Sequence, residues 1–194
     1  MKFIFFIFFC LFVCILSFYL SVDFRDKILY WFDNDDKHLS KEERLVNQIL
    51  YETSSSIEKT HQIKNFGTLI SMPGGRIQKL GLSFNSYQKL SKEKMRTYLL
   101  EFGEKLLHNI TLNEEIQPFL NERPFTIENV EIYIYNHDEK GHWPYDPEIG
   151  LAHLYRGKVI FKTYHHDDKK FGNKNESEET YEEALQLVPR GDKS

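Results

Sequence analysis

Cysteine is almost absent from this chain. The only two, Cys10 and Cys14, lie inside an apolar run near the N-terminus. Everything after that run is therefore without a disulfide framework, a cysteine nucleophile or a thiolate metal site. The chain also lacks a strong charge of either sign: 25 basic residues stand against 29 acidic ones, and of these only Lys2 falls in the first 21 positions. A nucleic-acid binder normally carries a basic face or stripe, and that class is excluded. Fixed catalytic signatures are missing too. No histidine pair has the HExxH spacing, and Ser54, Ser55 and Ser56 have no GxSxG setting for a nucleophile elbow. Paired carboxylates such as Glu114-Glu115 and Glu182-Glu183 sit at helix starts or on solvated faces, so no catalytic residue is assigned.

What the chain does have is aromatic side chains, 16 Phe, 11 Tyr and 2 Trp, enough for a packed domain rather than a disordered one. Residues 3–20 (FIFFIFFCLFVCILSFYL) carry no charge. As a helix they would span roughly 27 Å, close to the hydrocarbon thickness of about 30 Å. Residues 1–21 are thus expected to form a single-pass transmembrane signal-anchor. The small-x-small pattern of a signal-peptidase site is poor, because Tyr19 stands two residues before Ser21 and Ile15 two before Ser17. The alternative is secretion after signal cleavage. Residues 22–39 read as a juxtamembrane interfacial segment and linker, with Phe24, Ile28, Trp31 and Phe32 at helical spacing. The domain that follows is expected on the non-cytoplasmic side, and the membrane, met through residues 3–20, is the one partner the sequence names.

Residues 40–188 read as one α+β domain and 189–194 as a tail. Ser40 and Glu43 form a capping-box pattern that opens a helix over 41–63, with a weakly helical middle at Thr53-Ser54-Ser55-Ser56. Two β-like runs flank Pro73-Gly74-Gly75 and predict a hairpin. A Gly-rich phosphate loop would need a helix next, and here another strand follows. Ser91 caps a second helix, about 92–109, on which Met95, Leu99, Phe102, Leu106 and Ile110 form a core-facing stripe. A short third helix is expected from Asn113. Alternation then predicts strands at 127–136, 151–155 and 159–164, with Arg156-Gly157-Lys158 as a tight turn. Residues 167–179 read as a polar connector and 178–187 as a last helix. The expected architecture is an antiparallel sheet (hairpin plus three-stranded meander) with helices packed on one face, preceded by one transmembrane helix.

Four stretches carry a resemblance: Met72-Pro73-Gly74-Gly75-Arg76-Ile77, Leu80-Gly81-Leu82-Ser83-Phe84, Pro124-Phe125-Thr126-Ile127-Glu128-Asn129-Val130-Glu131-Ile132 and Tyr181-Glu182-Glu183-Ala184-Leu185. They resemble an uncharacterised family of small exported or membrane-anchored proteins, found as divergent paralogues in obligate intracellular bacteria. The resemblance agrees with an N-terminal membrane segment and implies no particular activity.

One constellation bears on chemistry. Five of the eight histidines fall in the predicted meander. Antiparallel pairing would bring the ends of its strands together, and with them His137, Asp138, His142, His165, His166, Asp167 and Asp168. Imidazole with carboxylate suits zinc or another divalent metal, and an open coordination position could activate water. Solvated strand ends produce the same composition without any ion. Two functions follow: a membrane-tethered, non-enzymatic binding or scaffolding domain without a cofactor, or a metal-binding protein or metal-dependent hydrolase using the His/Asp edge.

Overall fold

The computed structural model describes residues 38–166 and 172–188. The expected transmembrane signal-anchor, residues 22–37 of the segment expected to be juxtamembrane, Asp167, Asp168 and the tail lie outside the described residues. Among the described residues no helix is long and apolar enough to cross a membrane. The chain divides by its contacts into residues 1–44 and 45–194.

In the first unit, Ser40 and Glu43 close the expected capping box. The Ser40 amide donates to Glu43 Oε2 at 2.7 Å and the Glu43 amide to Ser40 Oγ at 3.3 Å, satisfying two of the amides that open a helix. That helix, α1, runs Lys41–Thr60.

In the second unit, Val46, Ile49, Leu50, Thr53, Ser54 and Ile57 are the buried side of α1, spaced by three and four. The Thr-Ser run expected to weaken this helix makes a helix contact instead. Thr53 Oγ1 donates to the Ile49 carbonyl at 2.7 Å and accepts from Asn109 Nδ2 at 2.8 Å. Strand β1 (Ile63–Ser71) claims Ile63, which periodicity had given to the helix. The hairpin forms as expected, since Gly74 and Gly75 take positive φ at the turn, where a Cβ would be strained. Strand β2 (Lys79–Ser86) follows. Ser91 Oγ then accepts from the Lys94 amide and caps α2, Lys92–Leu112. No third helix starts at Asn113. The Gln117 side chain donates to the Ile110 carbonyl at 2.8 Å and the Asn113 carbonyl at 3.1 Å. It thereby closes α2 and leaves one 3₁₀ turn, Gln117–Phe119.

The remaining elements are β3 (Val130–Asn136), β4 (Leu151–Tyr155), β5 (Lys158–Tyr164), β6 (Asn173–Thr180) and α3 (Tyr181–Leu187). The fold class is α+β, but three details of the expected architecture are corrected. The hairpin and meander are one six-stranded sheet in the order β1 to β6. The sheet is mixed, because β3 lies parallel to β2; α2 carries the chain back along the sheet before it pairs again. The supposed connector contains β6, antiparallel to β5. Its sequence, NKNESEET, is that of a charged, exposed edge strand, which shows none of the apolar alternation that reveals a buried one.

Register aligns the apolar residues across the strands. Leu82 pairs with Ile132, Ile132 with Leu154, and Leu154 with Val159. This face and the buried residues of the three helices form one core. α2 lies against β3, β4 and β5. Gly103 permits the approach, since a Cβ there would stand 2.6 Å from Leu154 Cδ2. The opposite face carries Glu131, Tyr133, Tyr135, His153, Tyr155 and Tyr164. Ile160 is buried among this second set and lies outside the helix-side core.

Candidate functional site: a loop-borne cleft at one end of the sheet

Strands β3 and β4 are joined not by a tight turn but by a loop over 137–150. Hairpin loops usually take roughly 2–5 residues, and long ordered loops tend to carry function. This end of the sheet is the edge expected from the sequence. The Asn136 amide donates to the Gly150 carbonyl at 2.8 Å, and the Gly150 amide to the Lys162 carbonyl at 3.0 Å.

Three side chains fix the loop. Asn136, fully buried, accepts from the Leu90 amide at 2.9 Å and donates to the carbonyls of Leu90 and Ile149 at 3.1 and 2.9 Å. It thereby ties the start of α2 to the end of the loop. Asp138 Oδ1 accepts from the amides of Lys140 and His142 at 2.9 and 2.8 Å, and Oδ2 meets His142 Nδ1 at 3.0 Å. The His142 amide is the main reason the Asp138 carboxyl lies below its usual range. Asp146 collects Lys174 Nζ at 2.6 Å, Asn175 Nδ2 at 2.7 Å and Thr163 Oγ1 at 2.8 Å. Lys174 foremost, then Thr163 and Asn175, pull its pKa down to about 2. This carboxylate joins the loop to both β5 and β6.

Around these pins the loop displays rings. Trp143 packs edge-on against His137 at 5.0 Å and Tyr164 at 5.2 Å. Gly150 leaves room for them, because a Cβ there would fall 2.9 Å from Trp143 Nε1 and 2.8 Å from the Tyr164 ring. Tyr145 lies on His166 at 4.6 Å. Between the loop and Lys89 is a cleft of about 490 Å³, bordered by Asp138, His142, Trp143, Tyr145 and Glu148. Lys89 Nζ reaches Glu148 at 2.6 Å across it.

The residues proposed from sequence as metal ligands are distributed unevenly here. Asp138 and His142 are brought together. His137 instead stacks on Tyr87 at 5.4 Å, with its Nδ1 buried and without a hydrogen-bond partner. Burial holds its pKa below the usual value for histidine. His166 faces Tyr145, and Asp167 and Asp168 lie outside the described residues. Among the described residues no group of three His, Cys, Asp or Glu side chains is placed to hold a metal ion. Sequence reading missed Asn136 and Asp146, two of the three residues that position the loop. An Asn at a strand end and an Asp before Pro147 look like ordinary turn residues, and nothing local signals what they reach.

No protein-family model, no curated protein and no solved structure matches this chain.

Proposed function

We propose that the protein is a membrane-tethered binding domain and that the cleft under the 137–150 loop receives its partner. One observation carries this reading. The loop is tied to the segment before α2, to β5 and to β6 by Asn136 and Asp146 and is braced internally by Asp138, yet His142, its side chain 71% exposed, and Tyr145 stay in solvent around a hollow of ligand size. A site that is both fixed and exposed loses little conformational entropy on binding, and aromatic side chains with a few charged neighbours are what binding surfaces use. The tether is the apolar run at 3–20.

Site-specific photocrosslinking from position 145 of the full chain, in the membranes that hold it, tests the cleft. A discrete adduct that disappears on His142→Ala with Lys89→Ala is the expected result. The same adducts from exposed position 51, on α1, would remove the loop as the binding element. Recovery of the chain in the soluble fraction, shortened by its N-terminal run, would remove the tether.

A further inference from the structure

On the sheet face away from the helices, five rings touch in a line. Phe66 meets Tyr135 at 5.9 Å, Tyr135 meets Trp143 at 6.0 Å, Trp143 meets His137 at 5.0 Å, and His137 meets Tyr87 at 5.4 Å. They come from β1, β3, the 137–150 loop and the residue after β2. A bulge between Asn65 and Gly67 breaks the β1 register at Phe66, which places that ring beside Tyr135. The two ends of the line are the most open, Phe66 67% and Tyr87 45% exposed.

The two open ends leave ring surface in water on either side of three half-buried rings, and connected rings mark an interaction site where scattered single ones do not. Contiguity is what calls for a partner. Two facts indicate which one. First, the ion pairs at this end are made within the domain, Lys89 with Glu148 and Lys174 with Asp146, and the Asp138 carboxylate is held by the His142 ring and two loop amides. The surface around the rings therefore offers little net field to a charged partner. Second, the apolar run ends at residue 20 and α1 begins at Lys41. Residues 21–40 reach at most about 70 Å fully extended, so a bilayer holding residues 3–20 remains within reach of the domain at high effective concentration. Trp and Tyr side chains favour the headgroup region, where an apolar ring can be buried while its polar edge stays wet.

We propose that this ring line docks on the zwitterionic headgroup interface of the membrane that holds residues 3–20. The inference rests on the tethered reading above. Docking at the interface would bring the neighbouring cleft, which shares Trp143 with the ring line, close to the headgroups.

The chain contains two tryptophans, Trp31 and Trp143, so each can be made the sole indole. The full chain carrying Trp31→Phe is reconstituted in phosphatidylcholine vesicles with and without bromine near the headgroup end of the acyl chains. Rings seated at the usual interfacial depth of about 5–10 Å put Trp143 within reach of the quencher, and its emission should fall by about half. Adding Phe66→Ala and Tyr87→Ala should abolish the quenching without changing the circular dichroism, and replacing part of the lipid with phosphatidylglycerol should not strengthen it. Quenching that survives loss of both end rings would overturn the ring line as the docking element. The reverse chain, Trp143→Phe, reports on Trp31. Quenched Trp31 with unquenched Trp143 overturns docking and leaves the tether standing. Failure of the chain to float with the vesicles overturns both.

Discussion

His153 is a histidine kept neutral by its surroundings. It is 7% exposed, its Nδ1 has no hydrogen-bond partner, and its ring lies flat on Tyr133 at 5.1 Å. Burial first, and Lys162 second, lower its pKa to about 4 from the usual 6.5. In the unfolded chain the imidazole takes up a proton below about 6.5, whereas in the fold it does so only near 4. The stabilisation is therefore complete above 6.5 and drains away as pH falls towards 4, by roughly 2–3 kcal/mol. Urea unfolding at pH 7, 5.5 and 4 should show this slope, and His153→Phe should flatten it. The lowered carboxyl of Asp146 adds its own loss only below its unfolded value of 3.8, so the two windows separate. Gly103→Ala is the second test at this scale. Helix propensity alone favours alanine by about 1 kcal/mol. With Leu154 Cδ2 at 2.6 Å, overpacking of about 1–3 kcal/mol should prevail, and the melting temperature should fall. As for a metal, Asp138 and His142 supply two ligands where structural zinc uses four. Added zinc is expected to leave the melting temperature unchanged. A rise that His142→Ala abolishes would support the metal reading.

Edge strand β6 is held to the helix layer through Glu179, which pairs with two cations of α2. Arg96, 6% exposed, reaches both oxygens of Glu179 at 2.6 and 2.7 Å, and Lys92 adds a third contact at 3.2 Å. Both cations lie over the Phe161 ring. Removing one partner strands a buried charge, so Glu179→Ala should cost about 3 kcal/mol, much of it recovered when Arg96→Met is added. Hydrogen exchange should show the single variant loosening β6 before β2 or β3. This pair also marks where sequence reading stops. α2 was legible because Met95, Leu99, Phe102, Leu106 and Ile110 repeat at helical steps, and β3 because Val130, Ile132 and Ile134 alternate. Arg96 sits beside that stripe as one more helical cation, and Glu179 sits among other acids, with nothing local to join them across the chain. β6 was illegible for the same reason: its side chains are polar on both faces, including Glu179, which turns inward. The parallel β2–β3 pairing was hidden because strand direction leaves no trace in the alternation. At the candidate site, the His/Asp edge itself was legible from strand order. Its pinning by Asn136 and Asp146 was not.

For the whole molecule, the capping box at Ser40 gives α1 its own start. A chain beginning at residue 40 should therefore fold as a soluble monomer or weak dimer, with a melting temperature close to that of a chain beginning at residue 22. Each large apolar side chain that Phe24, Ile28, Trp31 and Phe32 contributed to the domain core would instead lower stability by about 1.5–3 kcal/mol. An aggregated shorter chain would move the domain boundary upstream.

The strand order β1 to β6 means that every strand pairs with the one made just before it. On the ribosome, no strand needs to wait for a segment not yet translated to fill the gap between it and an earlier neighbour. The sheet can grow one edge at a time as the chain emerges. β6, the charged edge, comes last, so until it is synthesised the growing front is the apolar β5 with Val159, Ile160 and Phe161. A nascent chain stalled before residue 173 would carry an open, sticky strand, and this is the stage at which a chaperone should hold it.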